Sequence, residues 1–149
     1  TLSVFENNSM IYSRDQNFGG RRLVDDIRRR YNFSYEEATS SRSQSDFPPD
    51  YESEVLEPFK EATTQEVNRA LQFFHSSSQV VTLDQILLAG GCASIKNLAK
   101  TIEIASSTPT LAVAPFQSTK LASGIDTTAA TNDAPALITA LGLAMRSFD

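Results

Sequence analysis

The sequence predicts an α/β fold, and three observations predict it. A short apolar run, Ile86-Leu87-Leu88-Ala89, stops at the adjacent glycines Gly90 and Gly91, and a helix-like pattern follows at once. A second doublet, Gly19-Gly20, follows two β-prone runs and also opens a helical pattern. Between the doublets lies a long apolar stripe at helical spacing. The glycines carry the functional reading. Without a Cβ, the backbone can take positive φ and approach a flat or phosphorylated group that a side chain would hold away. A nucleotide is the first candidate. A strand-to-helix turn also needs glycine for steric reasons alone, so the doublets by themselves leave both readings open.

Taken in order, Thr1–Phe5 and Met10–Arg14 read as strands of a hairpin, separated by Glu6-Asn7-Asn8-Ser9, whose asparagines tolerate the left-handed turn. Leu23, Val24, Ile27 and Tyr31 recur at helical spacing after Gly20. Residues 35–45 are polar, with a short helix starting at Glu36-Glu37-Ala38, until Phe47-Pro48-Pro49 breaks regular structure. Val55, Leu56, Phe59, Val67, Ala70, Leu71 and Phe74 then mark one long helix over 50–75, bent or restarted at Pro58. Residues 84–89 predict a buried strand. Ser94 is expected to cap a helix with Ile95, Leu98, Ala99 and Ile102 inside. Leu111-Ala112-Val113 is a further strand, and residues 115–131 read as loop with one short helix. Asp133 is expected to cap a last helix, with Leu137, Leu141 and Met145 facing a core and Ala136, Ala140 and Ala144 forming a stripe of small side chains.

Composition narrows the chemistry. The 149 residues are 40% hydrophobic and 21% charged, as in a folded soluble protein with one core or two small lobes. A net charge of -5 gives no overall field toward nucleic acid or an anionic membrane. No apolar run approaches the roughly 20 residues that span a bilayer, and the N-terminus lacks the regions of a signal peptide. The single cysteine, Cys92, excludes an internal disulfide and fits a reducing compartment, with cytoplasm as the default. The chain also starts without methionine, which reads as a beginning within a longer protein.

Individual residues have competing readings. His75, the one histidine, lies at a helix end beside three serines, where a surface role outweighs a triad. Cys92 stands at a helix start where a thiol pKa could fall, but burial beside the turn is the better account. Arg21, Arg22, Arg28, Arg29 and Arg30 resemble a nucleic-acid patch, yet Asp25 and Asp26 sit at pairing distance along the helix, which describes a solvated ion-paired face. The acidic pairs Asp25-Asp26 and Glu36-Glu37 have no defined spacing to a metal or acid–base partner and read as surface charge.

The joint order of these segments resembles the C-terminal half of the actin-like (FtsA-like) ATPases, and within them the PilM family of type IV pilus assembly proteins. The resemblance covers essentially the whole chain. It is carried by Phe18-Gly19-Gly20 with Leu23 and Ile27, Asp50-Tyr51 with Glu54-Val55-Leu56 and Pro58-Phe59, Arg69 to Phe74, Leu87 to Gly91, and Asp133 to Asp149.

The resemblance implies the second domain of an actin-like ATPase of ribonuclease H-like fold, with a sheet-bearing subdomain at 1–34 and 79–149 and a small helical subdomain at 35–78. It implies that ATP with Mg²⁺ is the cofactor. By position, Gly90 and Gly91 correspond to the adenosine-loop glycines, with Ile95 near the base, and Gly19 and Gly20 to the pair passing the ribose and phosphates. Both doublets would then line one wall of a cleft. Glu37 and Arg42 fall on the helix that supplies ribose and adenine contacts, although Ser43, Ser45 and Asp46 depart from the basic residue and glycines of relatives. Ala140 and Gly142 match the small residues of the hinge-packing helix.

The family's two phosphate loops are not in this sequence, so the expectation is weak ATP binding and no hydrolysis by this chain. The resemblance further implies a bacterial, cytoplasmic protein in pilus assembly and twitching motility, tied to the inner membrane through partners. Those partners are the cytoplasmic N-terminal segment of PilN, bound by the first half of such proteins, and the pilus motor ATPases. This chain alone is expected not to retain the PilN segment, and to self-associate through its alanine stripe. Two rival classes are a sugar kinase-like phosphotransferase of the same superfold and a dinucleotide-binding oxidoreductase. The first needs a catalytic aspartate and sugar contacts not displayed here. The second needs a third spaced glycine, absent from Cys92 to Asn97.

Overall fold

The computed structural model describes residues 1–40, 47–78, 82–117 and 122–146. They form two compact units, Thr1–Val81 and Thr82–Asp149.

In the first unit, β1 (Leu2–Glu6) and β2 (Ser9–Arg14) pair antiparallel. Asn7 and Asn8 close the hairpin at φ 50° and 64°, the conformation that a two-residue turn between right-twisted strands requires. Val4 lies opposite Tyr12 and Phe5 opposite Met10, so Ile11 is the extra residue of a bulge. Helix α1 (Gly20–Tyr31) ends at Asn32 in the left-handed region, as a helix C-terminus prefers. The predicted spacing holds: Ile27 is 2% exposed, with Leu23 and Val24 half-buried beside it.

Helix α2 (Tyr35–Ser40) begins with a reciprocal cap. The Glu37 amide donates to Ser34 Oγ at 3.2 Å and the Ser34 amide to Glu37 Oε2 at 2.8 Å, which satisfies two orphan donors at once. After Phe47, whose ring stacks on Tyr51 at 4.1 Å, the chain makes one π-helical turn, Glu52–Leu56, and continues as α3 (Glu57–Ser77). The expected single helix over 50–75 is thus restarted next to Pro58. Proline has no N–H to donate and is tolerated in a helix's first turn, while the preceding Glu57 amide bonds back to the Glu52 carbonyl. Phe59, Ala70, Leu71 and Phe74 are buried along α3. Tyr12 meets Phe74 edge-on at 5.3 Å, and the Arg14 guanidinium lies 4.2 Å from the Phe73 ring centre, so the hairpin packs on α3.

In the second unit, β3 (Ile86–Leu88) pairs parallel with β4 (Thr110–Ala112), and α4 (Leu98–Ser106) makes the crossover. Leu98 and Ile102 seat α4, as their spacing predicts. Other expectations need correction. The strand within 84–89 is three residues long and not buried: Leu87 is 56% exposed and its partner Leu111 57%. A ladder of two strands among the described residues leaves one face of the pair uncovered.

Ser94 does not cap a helix. It ends a 3₁₀ turn, Gly91–Ser94, and its hydroxyl donates to the Asn132 carbonyl at 3.0 Å. Asn97, in the left-handed region, precedes α4, and Ile95 stays outside it in extended conformation. Nor does Asp133 cap the last helix. Asp126 accepts from the Thr128 and Ala129 amides at 2.9 and 3.2 Å and starts α5 (Thr127–Asp133), leaving Asp133 at the helix end. A 3₁₀ turn, Ala134–Leu137, leads into α6 (Ile138–Ala144). Ala134 and Pro135 are the buried residues there, whereas Leu137 and Met145 are exposed and Leu141 half-buried, so the predicted core face is not formed. Ala136, Ala140 and Ala144 are exposed too. Among the described residues no helix is long and apolar enough to cross a membrane.

Candidate functional site

The two glycine doublets have different local physics. Gly90 adopts φ 93° and ψ 172°, a region that is nearly glycine-only, so its own backbone accounts for the residue. Its amide donates to the Pro135 carbonyl at 2.7 Å and is therefore already engaged. Gly91 is exposed and starts the 3₁₀ turn, and nothing lies within 4 Å of where its Cβ would be. Gly19 has extended backbone, φ 166°, which any residue adopts, and it too has open space at the Cβ position. Neither conformation nor crowding within the chain demands glycine at 19.

Gly19 and Gly20 edge an open, largely polar hollow of about 830 Å³ at the start of α1. Its walls include Gln16, Asn17, Arg21, Arg29 and the carboxylates Asp25 and Asp26. Phe18 closes one side, its ring stacked on Phe59 at 5.6 Å with the Arg22 guanidinium 5.0 Å from its centre. Those contacts occupy the ring and make it a wall rather than a free stacking platform.

The arginine face was legible as ion pairs, and most of it is. Arg22 and Arg29 reach Asp26 at 3.8 and 3.6 Å, and Arg28 reaches Asp25 at 3.6 Å. Arg30 leaves its own helix for Asp50 at 3.4 Å and Glu54 at 3.1 Å, and these acids raise its pKa further, the Asp50 hydrogen bond first. What the sequence reading missed is that Arg21, Arg22 and Arg29 also line the glycine hollow. The available signal was position: two arginines directly after a glycine doublet at a helix start.

Other expected site residues fall as follows. The Glu37 carboxylate caps α2, and its hydrogen bonds from Ser34, the backbone amide first, hold it below the usual carboxylate range. Arg42 lies outside the described residues, as do Ser43, Ser45 and Asp46. Ile95 is half-buried, four residues after Gly91 in the same turn region. Burial pushes the Cys92 thiol up, which favours the packing reading over a reactive thiolate. His75 sits in the last turn of α3 with its ring 5.3 Å from Phe74. Among the described residues no group of three His, Cys, Asp or Glu is placed to hold a metal ion.

One solved structure similar to this chain is that of a PilM-PilN type IV pilus biogenesis complex. The two share 21% identity and superpose with a TM-score of 0.74, over 93% of this chain and 40% of that one. This chain therefore has the mixed α/β fold of part of that relative and spans 40% of its length. The sequence also matches the family described as type IV pilus assembly protein PilM over residues 1–148. With nearly every residue inside that match, the chain belongs to the PilM family of type IV pilus assembly proteins.

Proposed function

We propose that this chain is the part of a type IV pilus assembly protein that senses a nucleotide, ATP with Mg²⁺, and that the protein uses the bound nucleotide to hold a shape its partners recognise. Family membership supports the role in pilus assembly. The observation that carries the nucleotide reading is Gly19: extended, uncrowded, and on the rim of an open hollow with guanidiniums in its walls. A residue that needs to be glycine for no internal reason leaves room for an external group to approach the backbone. Gly20 and Arg21 flank it in the same hollow, and Gly91 offers open space of the same kind in the second unit. Gly90 shapes its own turn. On the family resemblance alone, Glu37 and Arg42 are proposed nucleotide contacts of the first unit and Ile95 of the second.

Nucleotide phosphates would bring the cation, since the described residues offer no acidic cluster for it. Guanidiniums in the hollow would orient the phosphates, and the glycine backbone would let the sugar lie close. The proposed partners of the protein carrying this chain are the cytoplasmic N-terminal segment of PilN and the pilus motor ATPases. Its proposed place is the cytoplasmic side of the inner membrane, in twitching motility. The similar PilM-PilN complex supports PilN as the first of these partners.

The test is an NMR-monitored titration of the chain with Mg²⁺-ATP, alongside Gly19→Val and Gly91→Val. Weak, saturable binding is expected for the unaltered chain, with Gly19→Val melting normally and losing the shifts around residues 16–22. Valine at 19 with unchanged binding would overturn the assignment, and submillimolar affinity would overturn the expectation of weak binding.

A further inference from the structure

Five arginines lie on α1, and four of them are answered by carboxylates: Arg22, Arg28, Arg29 and Arg30 each reach one within 3.8 Å. Arg21 has no ion pair among the described residues, yet it lines the glycine hollow. The two acids in that wall are already taken, Asp25 by Arg28 and Asp26 by Arg22 and Arg29. The side chains lining the hollow are three guanidiniums and two carboxylates, a formal balance of one positive charge. Gln16 and Asn17, at the rim, also have no side-chain hydrogen bond to another described residue. Each amide offers two donors and an acceptor.

We propose that Arg21, with Gln16 and Asn17 lining the same hollow, reads the phosphate groups of the ligand there. The inference rests on the nucleotide reading above and adds the residue that distinguishes a phosphorylated nucleoside from a bare one. A planar guanidinium presents parallel donors that match two oxygens of one phosphate, and its strength there derives from charge. Its paired neighbours Arg22 and Arg29 would have to give up Asp26 to do the same. Arg21 has no carboxylate to give up among the described residues.

The experiment titrates ADP, adenosine and inorganic pyrophosphate separately into the chain, its Arg21→Gln and Arg21→Lys variants, and Arg69→Gln on α3 as a control outside the hollow, whose affinities should match those of the parent chain. Arg21 pairs with no charged group among the described residues, so Arg21→Gln is expected to melt with the parent chain. ADP should bind Arg21→Gln about fivefold more weakly, a modest factor because the site is open to solvent. Adenosine should be unaffected, pyrophosphate should weaken in parallel with ADP, and Arg21→Lys should recover part of the loss. Equal weakening of ADP and adenosine, or ADP affinity unchanged in Arg21→Gln, overturns the assignment of Arg21 while leaving the nucleotide reading standing. Failure of the unaltered chain to bind either ADP or adenosine overturns both.

Discussion

The amide of Gly90 donates to the carbonyl of Pro135 at 2.7 Å, joining the turn after β3 to the 3₁₀ turn before α6 across 45 residues of sequence. The bond fixes the peptide plane at the point where the chain takes a conformation that other residues avoid. Ser94 adds a second tie, its hydroxyl on the Asn132 carbonyl at 3.0 Å. The glycine turn is therefore held by the end of α5 and the 3₁₀ turn that follows it, and its shape depends on those contacts.

Substituting the two glycines of this turn separates conformation from approach. Gly90→Ala should destabilise the second unit by about 1–3 kcal/mol, because φ 93° with ψ 172° is strained for any side chain. Gly91→Ala should stay within about 0.5 kcal/mol of the parent, since its Cβ meets nothing within 4 Å. Urea melts of both variants check this. Equal losses would show that the turn is not held as described.

On α1 the contrast is between packing and charge. Ile27→Ala should cost about 2–4 kcal/mol, because a side chain 2% exposed leaves a cavity. Asp26→Asn removes the partner of Arg22 and Arg29 but should cost less than about 1 kcal/mol, as those pairs are solvent-screened. Raising salt should shrink the second difference and leave the first. Denaturant melts at low and high ionic strength measure both.

Glu103 ties α4 to β4. It takes a hydrogen bond from Lys100 Nζ at 2.5 Å and one from the Thr110 amide at 3.4 Å. The Lys100 bond, then the Thr110 amide, hold its carboxyl below the usual range. A depressed folded pKa means that the folded state binds fewer protons than the unfolded chain. The stabilisation is therefore complete above the ordinary glutamate value and is lost as pH falls through the depressed one. The same sign applies to Glu37 on α2. Glu103→Gln should lose less stability than the parent between neutral and strongly acid pH. Parallel acid titrations of the two proteins would refute this.

Cys92 gives the opposite sign. Its thiol is pushed up by burial, so the unfolded chain releases the proton first and stability falls as pH rises above the ordinary thiol range. Native protein should react with iodoacetamide more slowly than urea-unfolded protein at mildly alkaline pH. A native rate equal to or above the unfolded one would point to an activated thiolate instead.

Much of the fold was legible because it is encoded locally. The Asn7-Asn8 turn, the inner face of α1 at Ile27, the stripe ending at Phe74 and the pair Leu98 and Ile102 on α4 are each set by residue type and spacing within one or two turns. The ion-paired face of α1 was legible for the same reason, since Asp25 and Asp26 find Arg28, Arg22 and Arg29 along one helix. The failures share a different cause. Whether Leu87 is buried depends on how many strands flank it. Ser94 is spent on Asn132 rather than on a cap, and Asp126 rather than Asp133 starts the helix that matters.

The sequence by itself determined the α/β class, both glycine doublets and membership in a pilus assembly family, because residue identity along the chain suffices for each. Only the tertiary structure decided that Gly90 is needed for its backbone while Gly19 is spare, and that Arg21 faces the glycine hollow unpaired among the described residues. The physical reason is that φ angles, open space and the choice of ion-pair partner are properties of neighbours in space, and no local pattern records them.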